Sequence, residues 1–113
     1  MKEIKAIIRP SKLLEVSEEL HEIQGLPGVT VSEIRILGKG RADSTDDKTF
    51  NGLVEFIARI KLEVVVADDK VDEVVNVIQK YAHTGNAGDG KIFVSTVDEI
   101  VKIRTNERGE AAV

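Results

Sequence analysis

The 113-residue chain has no cysteine, no tryptophan, only two prolines, and aromatics make up just 4% of it. Without cysteine there is no disulfide, no thiolate-held zinc and no cysteine nucleophile, and the absence fits a reducing compartment. So few aromatics argue against a base-stacking platform. Neither sign of charge dominates: sixteen Lys and Arg against twenty Asp and Glu leave a net charge of −4. The basic excess or stripe of a duplex nucleic-acid binder is missing, so no nucleic-acid partner is expected. No apolar run approaches the ~18 residues of a membrane span. The opening MKEIKAIIRP has no apolar core or small-residue cleavage site of a signal peptide. The expectation is a cytoplasmic protein that does not insert in a membrane. What remains, 42% apolar and 32% charged residues, is the composition of one globular domain over residues 1–113. A single core can hold a chain of this length.

The chain reads as a unit built twice. Lys12-Leu-Leu-Glu-Val16 is echoed by Lys70-Val-Asp-Glu-Val74, and the same spacing carries Leu20 onto Ile78 and Ile23 onto Tyr81. In the first unit, Lys2–Arg9 predicts a strand, and Pro10 and Ser11 end it and start a helix. Leu13, Val16, Leu20 and Ile23 recur at helical spacing on one face, and Gly25-Leu-Pro-Gly28 stops that helix. Val29–Leu37 follows as a strand whose apolar phase shifts near Ser32 and Glu33, the mark of a bulge or bend. In the second unit, residues 54–66 alternate apolar and charged side chains, which predicts a long antiparallel strand with one face on the core. Ala67-Asp-Asp69 predicts a cap for a helix buried through Val71, Val74, Val75, Ile78 and Tyr81. Lys91–Thr96 reads as a strand, Val101–Arg104 as a small one, and residues 105–113 as a mobile tail. The order βαβ–βαβ predicts an α+β fold, the ferredoxin-like βαββαβ plait: a four-stranded antiparallel sheet with two helices on one face. Ile57 and Val65 fall on the opposite face, which nothing else covers, so self-association is expected there.

Two segments are chemically loaded. About sixteen residues, 38–53, join strands that ~2–5 residues could join. Long loops of this kind are often functional, and nearly balanced charges let one stay disordered until a partner orders it. The second segment is Thr84-Gly-Asn-Ala-Gly-Asp-Gly-Lys91. Its G-x-x-x-x-G-K spelling is not a P-loop. Ile92 stands where Ser or Thr must bind Mg²⁺, and the segment runs from a helix to a strand, the reverse of a P-loop. Glycines still let backbone N–H groups converge on an anion, and Lys91 adds a charge. Lys102 and Arg104 would face the same way in a strand. A helix-stop turn with solvated charges accounts for the same letters equally well.

Four stretches together resemble the PII nitrogen-regulatory family. They are Lys5-Ala-Ile-Ile-Arg-Pro10, Lys61-Leu-Glu-Val-Val-Val-Ala-Asp-Asp69, Thr84 through Val94, and Val101-Lys-Ile-Arg-Thr105 with Glu107-Arg-Gly-Glu110. The resemblance implies a homotrimer that binds ATP or ADP in clefts between subunits, with Mg²⁺ accompanying ATP, and regulates a target protein through the long loop. The target would be a transporter, hence a membrane protein, or a metabolic enzyme. It also implies nucleotide contacts. Gly88, Asp89, Gly90 and Lys91 resemble the phosphate loop; Lys102 and Arg104 resemble a basic pair contributed by the neighbouring subunit; Thr30, Glu63 and Val65 match positions around the adenine. Arg59 stands where the family usually has a Lys near the phosphates, and Gly38 and Lys39 open the long loop beside the nucleotide. Arg41, Asp43, Asp46, Asp47, Lys48 and Phe50 would meet the partner.

The departures carry expectations too. A Gln that helps hold Mg²⁺ and 2-oxoglutarate in the family aligns with Gly40, so 2-oxoglutarate binding is expected to be poor or absent. The loop Tyr that is modified in many members aligns with Gly52, and the single Tyr is Tyr81. No catalytic residue set stands out, and no metal site is expected. His83 beside the glycine loop reads as a turn residue, so the protein is expected not to be an enzyme. The competing readings are a plait module for amino acids or other small anions, and a weak ATPase.

Overall fold

The computed structural model describes residues 1–38, 48–51 and 54–113. Strand β1 (Lys2–Ile8) leads through a 3-10 turn at Pro10–Lys12 into helix α1 (Leu13–His21). Strands β2 (Thr30–Gly38), β3 (Lys48–Asn51) and β4 (Val54–Val66) follow. A second 3-10 turn, Asp68–Lys70, opens helix α2 (Val71–Ala82), and strand β5 (Lys91–Thr96) closes the sheet. The main sheet has the order β2-β4-β1-β5, with every pair antiparallel. This is the α+β ferredoxin-like plait that the duplicated pattern predicts.

The two faces of the sheet are built from alternate residues. Ile4, Ala6 and Ile8 of β1 and Ile60, Leu62, Val64 and Val66 of β4 form one buried cluster with Val16 and Leu20 of α1 and Val74 and Ile78 of α2. That is the alternation read from the sequence, with the helices' 3-and-4 spacing laid on it. Ala82 completes the α2 stripe, while Tyr81 is only partly buried. The opposite face carries Ile7, Ile57, Arg59, Glu63 and Val65, as the registers require.

Five local expectations are corrected. β2 has no bulge: its register with β4 is unbroken from Thr30↔Glu63 to Gly38↔Glu55. The shift in apolar phase is a change of face. Val31 lies on the helix side opposite Leu62, while Ile34 and Ile36 lie on the other side opposite Arg59 and Ile57. Next, the segment 38–53 is not all loop. Gly38 belongs to β2, and β3 pairs with β4 from Lys48↔Ile57 to Asn51↔Val54. Its other positions lie outside the described residues. Asp68 and Asp69 make no side-chain cap. Asp68 instead accepts a hydrogen bond from the Met1 ammonium at 2.8 Å, which, with that charge, holds its carboxyl below the usual range.

Beyond β5, the predicted Val101–Arg104 strand shrinks to one bridge, Val101↔Arg108. Asn106, at φ 62°, turns the chain back. The segment expected as a loose tail forms a 3-10 turn at Gly109–Ala112, with Ala112 buried.

Candidate functional site

The glycine loop leaves α2 at His83, whose extended backbone ends the helix. Gly85, Gly88 and Gly90 then all take positive φ, a conformation that side chains disfavour. Gly90 has a second constraint. A Cβ there would lie 1.7 Å from the Ile7 carbonyl oxygen of β1. Only glycine lets the loop lie this close to the sheet.

Asp89 organises the loop from within. Its carboxylate accepts the backbone N–H groups of Thr84 at 2.8 Å and Gly85 at 2.9 Å, the Thr84 hydroxyl, and the Arg9 Nε at 3.1 Å. Burial pushes the Asp89 carboxyl up, but the Thr84, Gly85 and Arg9 hydrogen bonds outweigh it and hold the group far below the usual carboxylate range. The loop is also tied from outside. Arg9 donates to the Ala87 carbonyl at 2.8 Å, and Arg59 donates to the Gly88 carbonyl at 3.3 Å and to Ala58 at 2.8 Å. Both guanidinium groups are buried. Two cations thus draw the loop's carbonyls inward, which fixes its backbone. Lys91 stands exposed at the start of β5, opposite Ile7.

The other candidate residues fall in two further places. Thr30 pairs with Glu63 across β2 and β4. Thr30, Glu63 and Val65 share a cleft of about 350 Å³ with Pro27, Ala112 and Val113. Lys61 sits 3.7 Å from Glu63. Arg59, Glu63 and Val65 lie on one face of β4, so this cleft and the glycine loop are joined by a single row of side chains. The basic pair lies elsewhere. Lys102 is bracketed by a hairpin turn in which its N–H reaches the Glu107 carbonyl at 2.9 Å and Asn106 N–H reaches the Lys102 carbonyl at 2.7 Å. Its ammonium is 3.7 Å from the Glu107 carboxylate. Arg104 is exposed at the tip and has no hydrogen bond or ion pair among the described residues. Lys102 and Arg104 therefore do not share a strand face as expected. No hydrogen bond or ion pair among the described residues brings either to the glycine loop.

Gly38 ends β2 opposite Glu55, and Lys48 and Phe50 stand on β3 opposite Ile57 and Glu55. Lys39, Gly40, Arg41, Asp43, Asp46, Asp47 and Gly52 lie outside the described residues. Among the described residues no group of three or more His, Asp or Glu side chains could hold a metal ion. No helix among them is long and apolar enough to cross a membrane. Sequence reasoning placed Arg59 at the site but missed Arg9 as the loop's main anchor. Its only signal was its place in the Lys5–Pro10 stretch, since the partner lies eighty positions away.

The family model for nitrogen regulatory protein P-II matches residues 1–107. Over its full length the chain is similar to nitrogen regulatory protein P-II of Azospirillum brasilense, 45% identical over all of that protein. It is equally similar in extent to P-II 2 of Methanothermobacter thermautotrophicus, 48% identical over 97% of that protein. It also matches nitrogen regulatory protein GlnK of Escherichia coli, 40% identical over all of that protein. With this coverage and identity, and with a fold reached independently from periodicity, the chain belongs to the nitrogen regulatory protein P-II family.

Proposed function

We propose that the protein is a non-enzymatic signal transducer: a cytoplasmic homotrimer that binds ATP or ADP and regulates a target protein through the 38–53 segment. The observation that carries this reading is the fastened glycine loop. Arg9, Arg59 and Asp89 turn its carbonyls and carboxylate inward, which leaves a pre-set backbone for phosphate oxygens beside the Lys91 charge. The adenine would take the cleft of Thr30, Glu63 and Val65. Mg²⁺ would come with the ATP phosphates. Arg104 has no hydrogen bond or ion pair among the described residues, and the reading assigns it to the phosphates held by a neighbouring subunit, with Lys102 beside it. Ile57 and Val65 on the helix-free face, together with the half-exposed Phe93, give the apolar surface that assembly would cover. The target, a transporter or a metabolic enzyme, would meet Arg41, Asp43, Asp46, Asp47, Lys48 and Phe50.

Light scattering and calorimetry test the two halves together. The expected result is a trimer mass at micromolar concentration and saturable binding of ATP or ADP, three per trimer. A monomer mass removes the shared cleft. A trimer without nucleotide binding removes the ligand and leaves the assembly.

A further inference from the structure

The cleft of about 350 Å³ has two walls that come from different parts of the chain. One is the sheet, with Thr30 of β2 and Glu63 and Val65 of β4. The other is the chain beyond β5, with Ile100, Ala112 and Val113. A mainly apolar lining with a few polar groups is that of a small-molecule site. The charged side chains in the lining are Glu3 and Glu63, both carboxylates. Lys61 stands 3.7 Å from the second and itself lies outside the lining. Phosphate is repelled from such a cleft, and an uncharged body is favoured.

The second wall is lightly held. Among the described residues, its hydrogen bonds run from the Gly109 N–H to the Ile100 carbonyl at 3.0 Å and from the Val113 N–H to the Glu110 carbonyl at 3.2 Å. The Val101↔Arg108 bridge anchors its start. None of these bonds reaches β2 or β4. What seats the turn is the burial of Ala112, 9% exposed. Val113 keeps 36% of its surface open, which is apolar surface that a bound ring can cover. We propose, resting on the nucleotide reading, that residues 109–113 form the base-side wall of the nucleotide cleft, with Ala112 and Val113 packed against the purine ring.

A contact to the base is the same for ATP and ADP, which differ only in their phosphates. The turn therefore contributes to how tightly either nucleotide binds and leaves the choice between them to the glycine loop.

Methyl NMR and calorimetry test the wall. In the wild-type protein, ATP, ADP and adenosine should each shift the Ala112 and Val113 methyls. Deleting residues 109–113 removes one buried side chain and leaves both partners of the Val101↔Arg108 bridge. ATP and ADP affinity should both fall about tenfold, the scale of one lost valine-sized apolar contact, with their ratio unchanged. Gly109→Val keeps every side chain of the wall. Its Cβ meets nothing within 4 Å, but φ 74° is disfavoured for a β-branched residue. The turn should loosen, and both affinities should fall together by a smaller factor. Nucleotide bound with the Ala112 and Val113 methyls unmoved overturns the wall. So does unchanged affinity in the shortened chain, or a changed ATP-to-ADP ratio, which would place the turn's effect at the phosphates. Should the shortened chain fail to fold, unchanged affinity in Gly109→Val overturns it instead. Wild-type protein that binds neither ATP nor ADP counts against the nucleotide reading, and the wall falls with it.

Discussion

Two polar segments flank β5 and are held in opposite ways. The glycine loop before it is tied down by Arg9 and Arg59, which reach it from other strands, and by a carboxylate with its hydrogen bonds filled. The turn after it is closed by its own bonds, between Lys102 and Glu107 and between Asn106 and Lys102. It presents Ile103, 99% exposed, beside Arg104. The first segment is finished within one chain. The second displays a cation without a hydrogen bond or ion pair among the described residues and a fully exposed apolar side chain. The proposed function assigns that turn to the neighbouring subunit.

The sharpest way to break this contrast is to unfasten the glycine loop. Gly90→Ala sets a methyl into the Ile7 carbonyl and places a side chain at φ 103°. The clash with β1 backbone and the disfavoured dihedral together should cost about 3 kcal/mol or more. A thermal melt should show the midpoint falling by roughly 10 °C or more, and calorimetry should show nucleotide binding lost. A folded Gly90→Ala protein with unchanged midpoint and affinity would show that the loop does not need its close approach to β1.

The opposite behaviour is expected of the exposed turn. Arg104→Ala removes a side chain with no hydrogen bond or ion pair among the described residues, so stability without nucleotide should stay within about 0.5 kcal/mol. Nucleotide affinity should nevertheless fall by roughly 1.5–3 kcal/mol, one charge-assisted hydrogen bond. Calorimetry on the trimer decides it. Equal affinity would leave the turn without its assigned role.

The two segments also differ in how much of them could be read from the letters. Strand periodicity in β4 and the helix stripes are local and strong, so the plait and its core were legible. The glycine loop was legible as a loop because its glycines cluster. Its fastening was not, since Arg9 and Arg59 meet it only after β1 and β4 are aligned. The same holds for β3, four residues without alternation that become a strand only by pairing with β4. Asp68 looked like a cap because caps are local. Its partner is the chain's own amino terminus, which β1 carries alongside. In these three cases a long-range partner overrides a short-range rule.

Acid should act on the fastened loop. Folding lowers the Asp89 pKa. Its ionised form therefore stabilises the loop fully above the unfolded value of about 3.9, and that contribution is lost as pH falls through the folded value. Thr84 and Gly85 amide shifts should stay flat on acidification past the ordinary carboxylate range and move only well below it. In Asp89→Asn both amides should be displaced already at neutral pH and show no such late step. Movement of the wild-type amides near pH 4 would mean that the hydrogen bonds do not hold the carboxylate ionised.

The smallest expected effect is a null one, and it concerns what the loop system senses. The family resemblance implies that a Gln at the start of the long segment, which would help hold Mg²⁺ and 2-oxoglutarate, is replaced here by Gly40. Glycine has no side-chain oxygen to offer a metal or a keto-acid. Mg²⁺ demands near-ideal octahedral geometry, and without a ligand from the protein such an ion would be less firmly held. Arg59 does not replace the missing group: it is a cation, and its guanidinium already donates to the Gly88 and Ala58 carbonyls. A ligand can shift the conformation of a long segment only through contacts that differ between its states, and the resemblance implies that 2-oxoglutarate lacks its Gln contact here. Titrating 2-oxoglutarate into the MgATP-loaded trimer should therefore give no saturable heat, while ATP and ADP differ in their effect on the 38–53 segment. Saturable micromolar binding of the keto-acid would show that Gly40 has not uncoupled this protein from it.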